Sequence, residues 1–301
     1  MMSIRAALAQ FYLRNSKYKK IFSGEGGAES AMDKLHAIPA ALPSASMRKK
    51  FTVDEDEFMG QPVYTISPKN GSNSNANIQS ILYLHGGGYV GAISAFHWVF
   101  IGQLVKNLGV KVIVPFYPRA PKHNVDANYD MMLPFYDDLV TKFNPENMAV
   151  MGDSAGAGLS LSLTQQLIAA GKAAPAKVVL LSPWLDASQV DPRQVEIEKK
   201  DCILGIKGLE GAGQAYAGPN PTSDPRVSPG LASLKNLPPI AMFAGTYDIL
   251  LTNAHDFKER IDADGSVSLS YFEYDKMHHV WMLLPCPETK QTLDEIASFL
   301  R

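Results

Sequence analysis

From residue 78 onward, short runs of Ile, Val and Leu alternate with longer stretches of helical periodicity. No other feature limits the fold so strongly. Strands are predicted over 78–84, 110–114, 147–151 and 176–181, then over 240–244 and 267–274. Helices are predicted over 94–108, 126–142, 155–170, 252–263 and 287–300. Near-continuous apolar strands are buried on both faces, and strands joined through helices run parallel. The expected class is therefore α/β, a mostly parallel central sheet flanked by helices. In such sheets ligands bind beyond the carboxyl ends of the strands, so chemistry is sought in the loops there.

Two regions stand outside the alternation. Residues 1–22 read as a basic amphipathic helix and 23–48 as a connection rich in Gly, Ala, Ser and Pro. Segments 50–54 and 62–66 alternate apolar with polar, as half-buried antiparallel strands do, and 68–77 is a polar turn or loop. Residues 186–230 carry charges, glycines and prolines, with a helix near 207–217, and read as an insertion over one end of the sheet. At the N-terminus a single Arg5 precedes the apolar stretch and Arg14, Lys17, Lys19 and Lys20 follow it, the reverse of a signal peptide. Such a helix either covers part of the protein itself or docks on a membrane surface.

Composition closes off several classes. The 301 residues are 46% hydrophobic and 19% charged, enough for a large core. A net charge of −2 gives no reason to expect nucleic acid or an anionic membrane as partner. No apolar run approaches the ~20 residues that span a bilayer, so no integral membrane association is expected. Cys202 and Cys286 are far apart in sequence and in no metal-type spacing, which favours a reducing, cytoplasmic setting over a disulfide framework.

Within the alternation, residues 149–158 run from strand to helix through Gly152-Asp153-Ser154-Ala155-Gly156. This fits G-x-S-x-G, a turn that lifts a serine hydroxyl clear of the sheet. Glycines two before and two after remove Cβ atoms that would collide there, and the helix that follows aims its N–H groups at an anion beside Ser154. A plain strand-to-helix turn has similar composition, so the other strand ends must decide.

Three of them answer the serine. After the 78–84 strand comes His85-Gly86-Gly87-Gly88, whose backbone N–H groups, with that of Ala155, suit a tetrahedral oxyanion. His85 is read as structural. After the 240–244 strand, Asp248 either orients an imidazole or caps the next helix. After the 267–274 strand, His278 or His279 is a candidate general base. The order serine, aspartate, histidine is that of α/β-hydrolases.

On these motifs the chain resembles the hormone-sensitive-lipase-like (HGGG) branch of the α/β-hydrolases, over nearly its whole length and most clearly over 50–300. The resemblance implies a cofactor-independent serine carboxylesterase acting through an acyl-enzyme on short- to medium-chain acyl esters. The usual M-x-H pattern assigns the base to His279, leaving His278 as an exposed neighbour, and Asp248 becomes the acid. Residues 1–48 and 186–230 would form a helical cap over an acyl pocket, with 49–185 and 231–301 as the core. One departure is visible: Tyr117-Pro118-Arg119-Ala120-Pro121-Lys122 has Arg119 and Lys122 where the family's Y-x-L-A-P-E has Leu and Glu.

Other residues are read more plainly. Asp153 is a hydrogen-bonder of the elbow, and Asp186 is the alternative acid. His36, His97, His123 and His255 are surface or satisfied histidines. No metal motif is present, and Gly86–Gly88 lacks the Walker lysine and the dinucleotide spacing. Tyr89, Trp184, Tyr216 and Trp281 are expected near the pocket mouth, either as substrate contacts or as core. Two rival functions are a deacetylase or amidase of a small metabolite on the same fold, and a non-catalytic small-ligand-binding protein. Edge strands of this fold often pair two copies, which leaves a homodimer as a further expectation.

Overall fold

The computed structural model describes residues 2–24, 26–69, 71, 77–188 and 191–301. Eight strands form one sheet: β1 (Phe51–Phe58), β2 (Gln61–Pro68), β3 (Ser80–Leu84), β4 (Lys111–Pro115), β5 (Met148–Asp153), β6 (Lys177–Leu181), β7 (Ile240–Tyr247) and β8 (Leu269–His278). Their order is β1-β2-β4-β3-β5-β6-β7-β8. The β1–β2 and β2–β4 pairs are antiparallel and every later pair is parallel. Most of the 68–77 loop, residues 70 and 72–76, lies outside the described residues.

The helices over the sheet are α5 (Ala95–Leu108), α6 (Val125–Lys142), α7 (Ala155–Ala169), α10 (Leu251–Asp264) and α11 (Pro287–Leu300). Each matches its expected stretch to within a residue or two. The period-2 geometry of a strand divides β3 between two cores. Ile81 and Tyr83 pack with Phe100 of α5 and Ile296 of α11 on one face. Leu82 and Leu84 pack with Phe135 of α6 and Leu159 of α7 on the other. Every residue of β3 and β5 is buried, which explains their unbroken apolar sequence.

The N-terminal region differs from its reading. One helix over 1–22 becomes α1 (Ile4–Arg14) and α2 (Lys17–Phe22), because the Ser16 side chain accepts from Lys19 N–H and starts a new helix. The 23–48 connection holds α3 (Ala28–His36) and the start of α4 (Ala45–Lys50), which leads directly into β1. In the insertion lie α8 (Arg193–Glu198) and α9 (Ile206–Ala217). α9 packs closely on α2 and α3. A Cβ added at Gly208 would overlap the Phe22 backbone, and one at Gly211 would come within 2.7 Å of Ala28 Cβ. Segments some 180 residues apart in sequence thus meet as one layer above the carboxyl ends of the strands.

Candidate active site

The β5-to-α7 turn holds Ser154 at φ 55° and ψ −123°, a backbone setting that L-residues rarely adopt. A Cβ on Gly152 would overlap the Gly156 backbone, and one on Gly156 would overlap the Leu84 carbonyl of β3. The two glycines therefore let the elbow sit against the neighbouring strand. Ser154 N–H donates to the Leu181 carbonyl at 2.8 Å, which ties the strained residue to the sheet.

Ser154 Oγ is 2.8 Å from His279 Nε2, and His279 Nδ1 is 2.8 Å from Asp248 Oδ2. All three side chains are buried. The second oxygen of Asp248 accepts from Leu250 N–H at 2.9 Å in the turn leading into α10, although Asp248 itself is two residues short of the N-cap position of that helix. Burial by itself would lower the His279 pKa. The Asp248 carboxylate, by charge and hydrogen bond, acts with Asp201 and Asp153 against it, and together they raise the imidazole above its ordinary value.

Asp201 is a site residue that no sequence motif marks. It is fully buried. Its Oδ1 accepts from Ile203 and Leu204 N–H at 2.7 and 2.8 Å, and its Oδ2 accepts from Ile249 N–H at 3.0 Å, one residue beyond Asp248. It joins the inserted segment to the loop of the acid. Burial, and then the Asp248 charge, raise its pKa. The only hint in the sequence is an acidic residue set against the apolar Cys202-Ile203-Leu204.

The glycine run is corrected at one position. Gly86 N–H donates to Asp153 Oδ1 at 3.0 Å, so it is already engaged, and a Cβ there would overlap the Asp153 carboxylate. Asp153 also accepts from Tyr83 Oη at 2.7 Å and His97 Nε2 at 3.2 Å. Burial opposes its charge, but His97 and these donors lower its pKa below the ordinary value. Among the described residues no acceptor takes the N–H of Gly87 or Gly88, and Ala155, as the first residue of α7, has no intrahelical acceptor. Gly87, Gly88 and Ser154 are all on the wall of one cavity. His85 is structural as read: it donates from Nδ1 to the Gly86 carbonyl at 2.7 Å, and burial lowers its pKa to about 3.

The departing segment braces this loop. Tyr117 Oη donates to the His85 carbonyl at 2.5 Å, Ala120 N–H to Tyr89 at 3.0 Å, and Arg119 Nη1 to Val90 at 2.7 Å. Lys122 is exposed.

The cavity measures about 320 Å³ and is walled largely by apolar side chains, among them Leu13, Phe22, Leu35, Leu204 and Leu283. Tyr89, Trp184, Tyr216 and Trp281 are not on its wall, which corrects the expectation that they contact substrate. All four are core. Tyr89 stacks on Tyr216 of α9 with ring centres 3.7 Å apart and lies beside Trp184, while Trp281 Nε1 donates to Thr292 at 3.1 Å. His278 is buried rather than exposed. It is on the cavity wall, its ring nitrogens have no partner among the described residues, and burial lowers its pKa to about 4. Asp186 accepts from Ser188 N–H and Ser228 Oγ, away from His279. His36 and His255 are satisfied by Ala120 and Glu273 respectively, and His123 is exposed.

Residues 81–283 match a protein-family model described as an alpha/beta hydrolase fold. An esterase of Acinetobacter venetianus is 30% identical over 229 residues, 73% of this chain and 74% of that protein. An ethyl acetate hydrolase of Pseudomonas putida is 35% identical over 179 residues, 57% of this chain and 56% of its own. Among solved structures, an esterase from the bacterial hormone-sensitive lipase family superposes with a TM-score of 0.82 at 26% identity, covering 100% of this chain and 98% of that one. Among the described residues, no helix is long and apolar enough to cross a membrane.

Proposed function

Since this chain belongs to the α/β-hydrolase-fold family, in its hormone-sensitive-lipase-like branch of carboxylic ester hydrolases, we propose that Ser154 is its nucleophile, His279 its general base and Asp248 its acid. The observation that carries this reading is the continuous chain of 2.8 Å hydrogen bonds from Ser154 Oγ through His279 to Asp248, at the wall of an apolar cavity. Ser154 Oγ attacks the ester carbonyl carbon while His279 Nε2 takes its proton. Asp248 holds the Nδ1–H and stabilises the imidazolium. The N–H groups of Gly87, Gly88 and Ala155 receive the oxyanion, and Gly86 supports them through Asp153. The carbon–oxygen bond to the alcohol then breaks, His279 returns its proton to the leaving oxygen, and water repeats the sequence on the acyl-serine.

Short- to medium-chain acyl esters are the substrate class within this reading, because the cavity is small and apolar. Residues 1–48 and 186–230 act as its cap, which the packing of α9 on α2 and α3 supports. The two cysteines are free and buried, in keeping with a cytoplasmic location. A homodimer would form through β8, at one edge of the sheet.

Labelling with a fluorophosphonate followed by peptide mapping tests the site. The label is expected on Ser154, and lost in Ser154→Ala and in His279→Ala. Turnover of p-nitrophenyl butyrate should fall by roughly 10⁴-fold or more in either variant while the fold is kept. Turnover by Ser154→Ala near that of the parent would overturn the assignment. Rates on p-nitrophenyl acetate, longer acyl esters and an acetanilide separate esterase from amidase specificity.

A further inference from the structure

α1 is turned the opposite way from a helix that only covers a core. Its inward positions hold Ala6 and Gln10, both buried, and Gln10 Nε2 donates to the Lys276 carbonyl at 2.7 Å. Its large apolar side chains face solvent: Ile4, Leu8, Phe11 and Tyr12 are 81, 54, 66 and 73% exposed. Their spacing of i, i+4, i+7 and i+8 puts them on one stripe of the helix. Intramolecular packing gives no reason for that stripe.

The charge of its own segment is one-sided, although the Glu288 carboxylate accepts from Ser3 at the start of α1. Residues 2–22 contain Arg5, Arg14, Lys17, Lys19 and Lys20 and no Asp or Glu, although the chain as a whole carries −2. Arg5, Arg14, Lys17 and Lys20 are exposed. The opposite side of α1 faces the cavity. Leu13 and Tyr18 are on the cavity wall, as is Phe96, which is 51% exposed. Val99 is exposed on the same helix as Phe96, and Leu42 is exposed beside the wall residue Ala41. Of the ten large apolar side chains exposed among the described residues, α1 supplies four, all on one helix face.

We propose that the outer face of α1, with the basic turn into α2, is a docking surface for an anionic phospholipid bilayer. The apolar stripe would enter the boundary between headgroups and acyl chains, with Phe11 and Tyr12 at that depth. The lysines and arginines would reach the lipid phosphates, their stems lying along the apolar surface. A second copy of the chain fits less well, because a two-fold contact through this face would bring exposed cations against their own copies. Nucleic acid would use the cations but leave the four apolar side chains without a role.

The test measures binding without turnover, so it is independent of the ester-hydrolase reading. The full chain is co-sedimented with vesicles of phosphatidylcholine alone and of phosphatidylcholine mixed with phosphatidylglycerol. Binding is expected to the mixed vesicles, to weaken as salt rises, and to be far weaker on phosphatidylcholine. Ile4→Ser, Leu8→Ser and Phe11→Ser together should lower the partition coefficient at least about tenfold. Lys17→Gln and Lys20→Gln should each lower it about fivefold. All these variants should keep their turnover of a soluble ester in the absence of vesicles. No binding to mixed vesicles, or binding that the apolar and lysine variants leave unchanged, would overturn the proposal. So would a dimer in sedimentation velocity that the triple serine variant dissolves.

Discussion

At the scale of single residues, His279 lies within 2.8 Å of both Ser154 Oγ and Asp248 Oδ2, while its neighbour His278 touches no polar partner among the described residues. A general base must be neutral, and nearby carboxylates raise the His279 pKa, so ester turnover should fall on the acid side with a midpoint above 6.5. Asp201→Asn removes one of those charges and should shift that midpoint to lower pH. Its NH2 group, in place of one carboxylate oxygen, cannot accept from a backbone N–H as Oδ2 does from Ile249, so stability should also drop by about 1–3 kcal/mol. A profile of kcat/KM against pH that is identical in the variant would contradict the first expectation. His278 behaves oppositely. Its pKa falls to about 4, so below 6.5 the unfolded chain takes up a proton that the folded chain refuses, and stability declines as pH drops through that window. His278→Leu should lose less stability than the parent on going from about pH 7 to pH 5, by on the order of 1–2 kcal/mol in denaturant midpoints, with turnover retained. The proposed triad was legible because each candidate follows a strand end. Asp201 and the burial of His278 were not, since both depend on a segment folding back from elsewhere in the chain.

Among the elements, the parallel strands were legible because burial on both faces demands unbroken apolar runs, as in β3 and β5. The helices before β1 were harder to read. α2 has only six residues and α3 nine, short of what holds a helix alone in water. Their stability comes from α9, and nothing local in 17–36 announces it. The fit is tight enough to test. Replacing a helical glycine by alanine ordinarily gains up to ~1 kcal/mol from helix propensity. In Gly208→Ala the new methyl would overlap the Phe22 backbone, so a net loss of roughly 1–3 kcal/mol is expected, read as a lower thermal midpoint. A gain in stability would mean that α2 and α9 separate easily.

At the scale of the whole molecule, packing is uneven. β3, β5 and most of α7 are buried, whereas α1 leaves most of its surface to solvent. Amide hydrogen exchange should follow that gradient, with α1 and α2 exchanging orders of magnitude faster than β5 in native conditions. Equal protection of α1 and β5 would refute it. The pairing of α2 and α3 with α9 also sets an order in time. A ribosome releases the N-terminal helices long before the glycines that receive them, so Phe22, Met32 and Leu35 must wait, uncovered, while the sheet is still being made. Segments synthesised before α9 are thus among the last to find their places, and a chaperone that shields them meanwhile would raise the yield of folded chain.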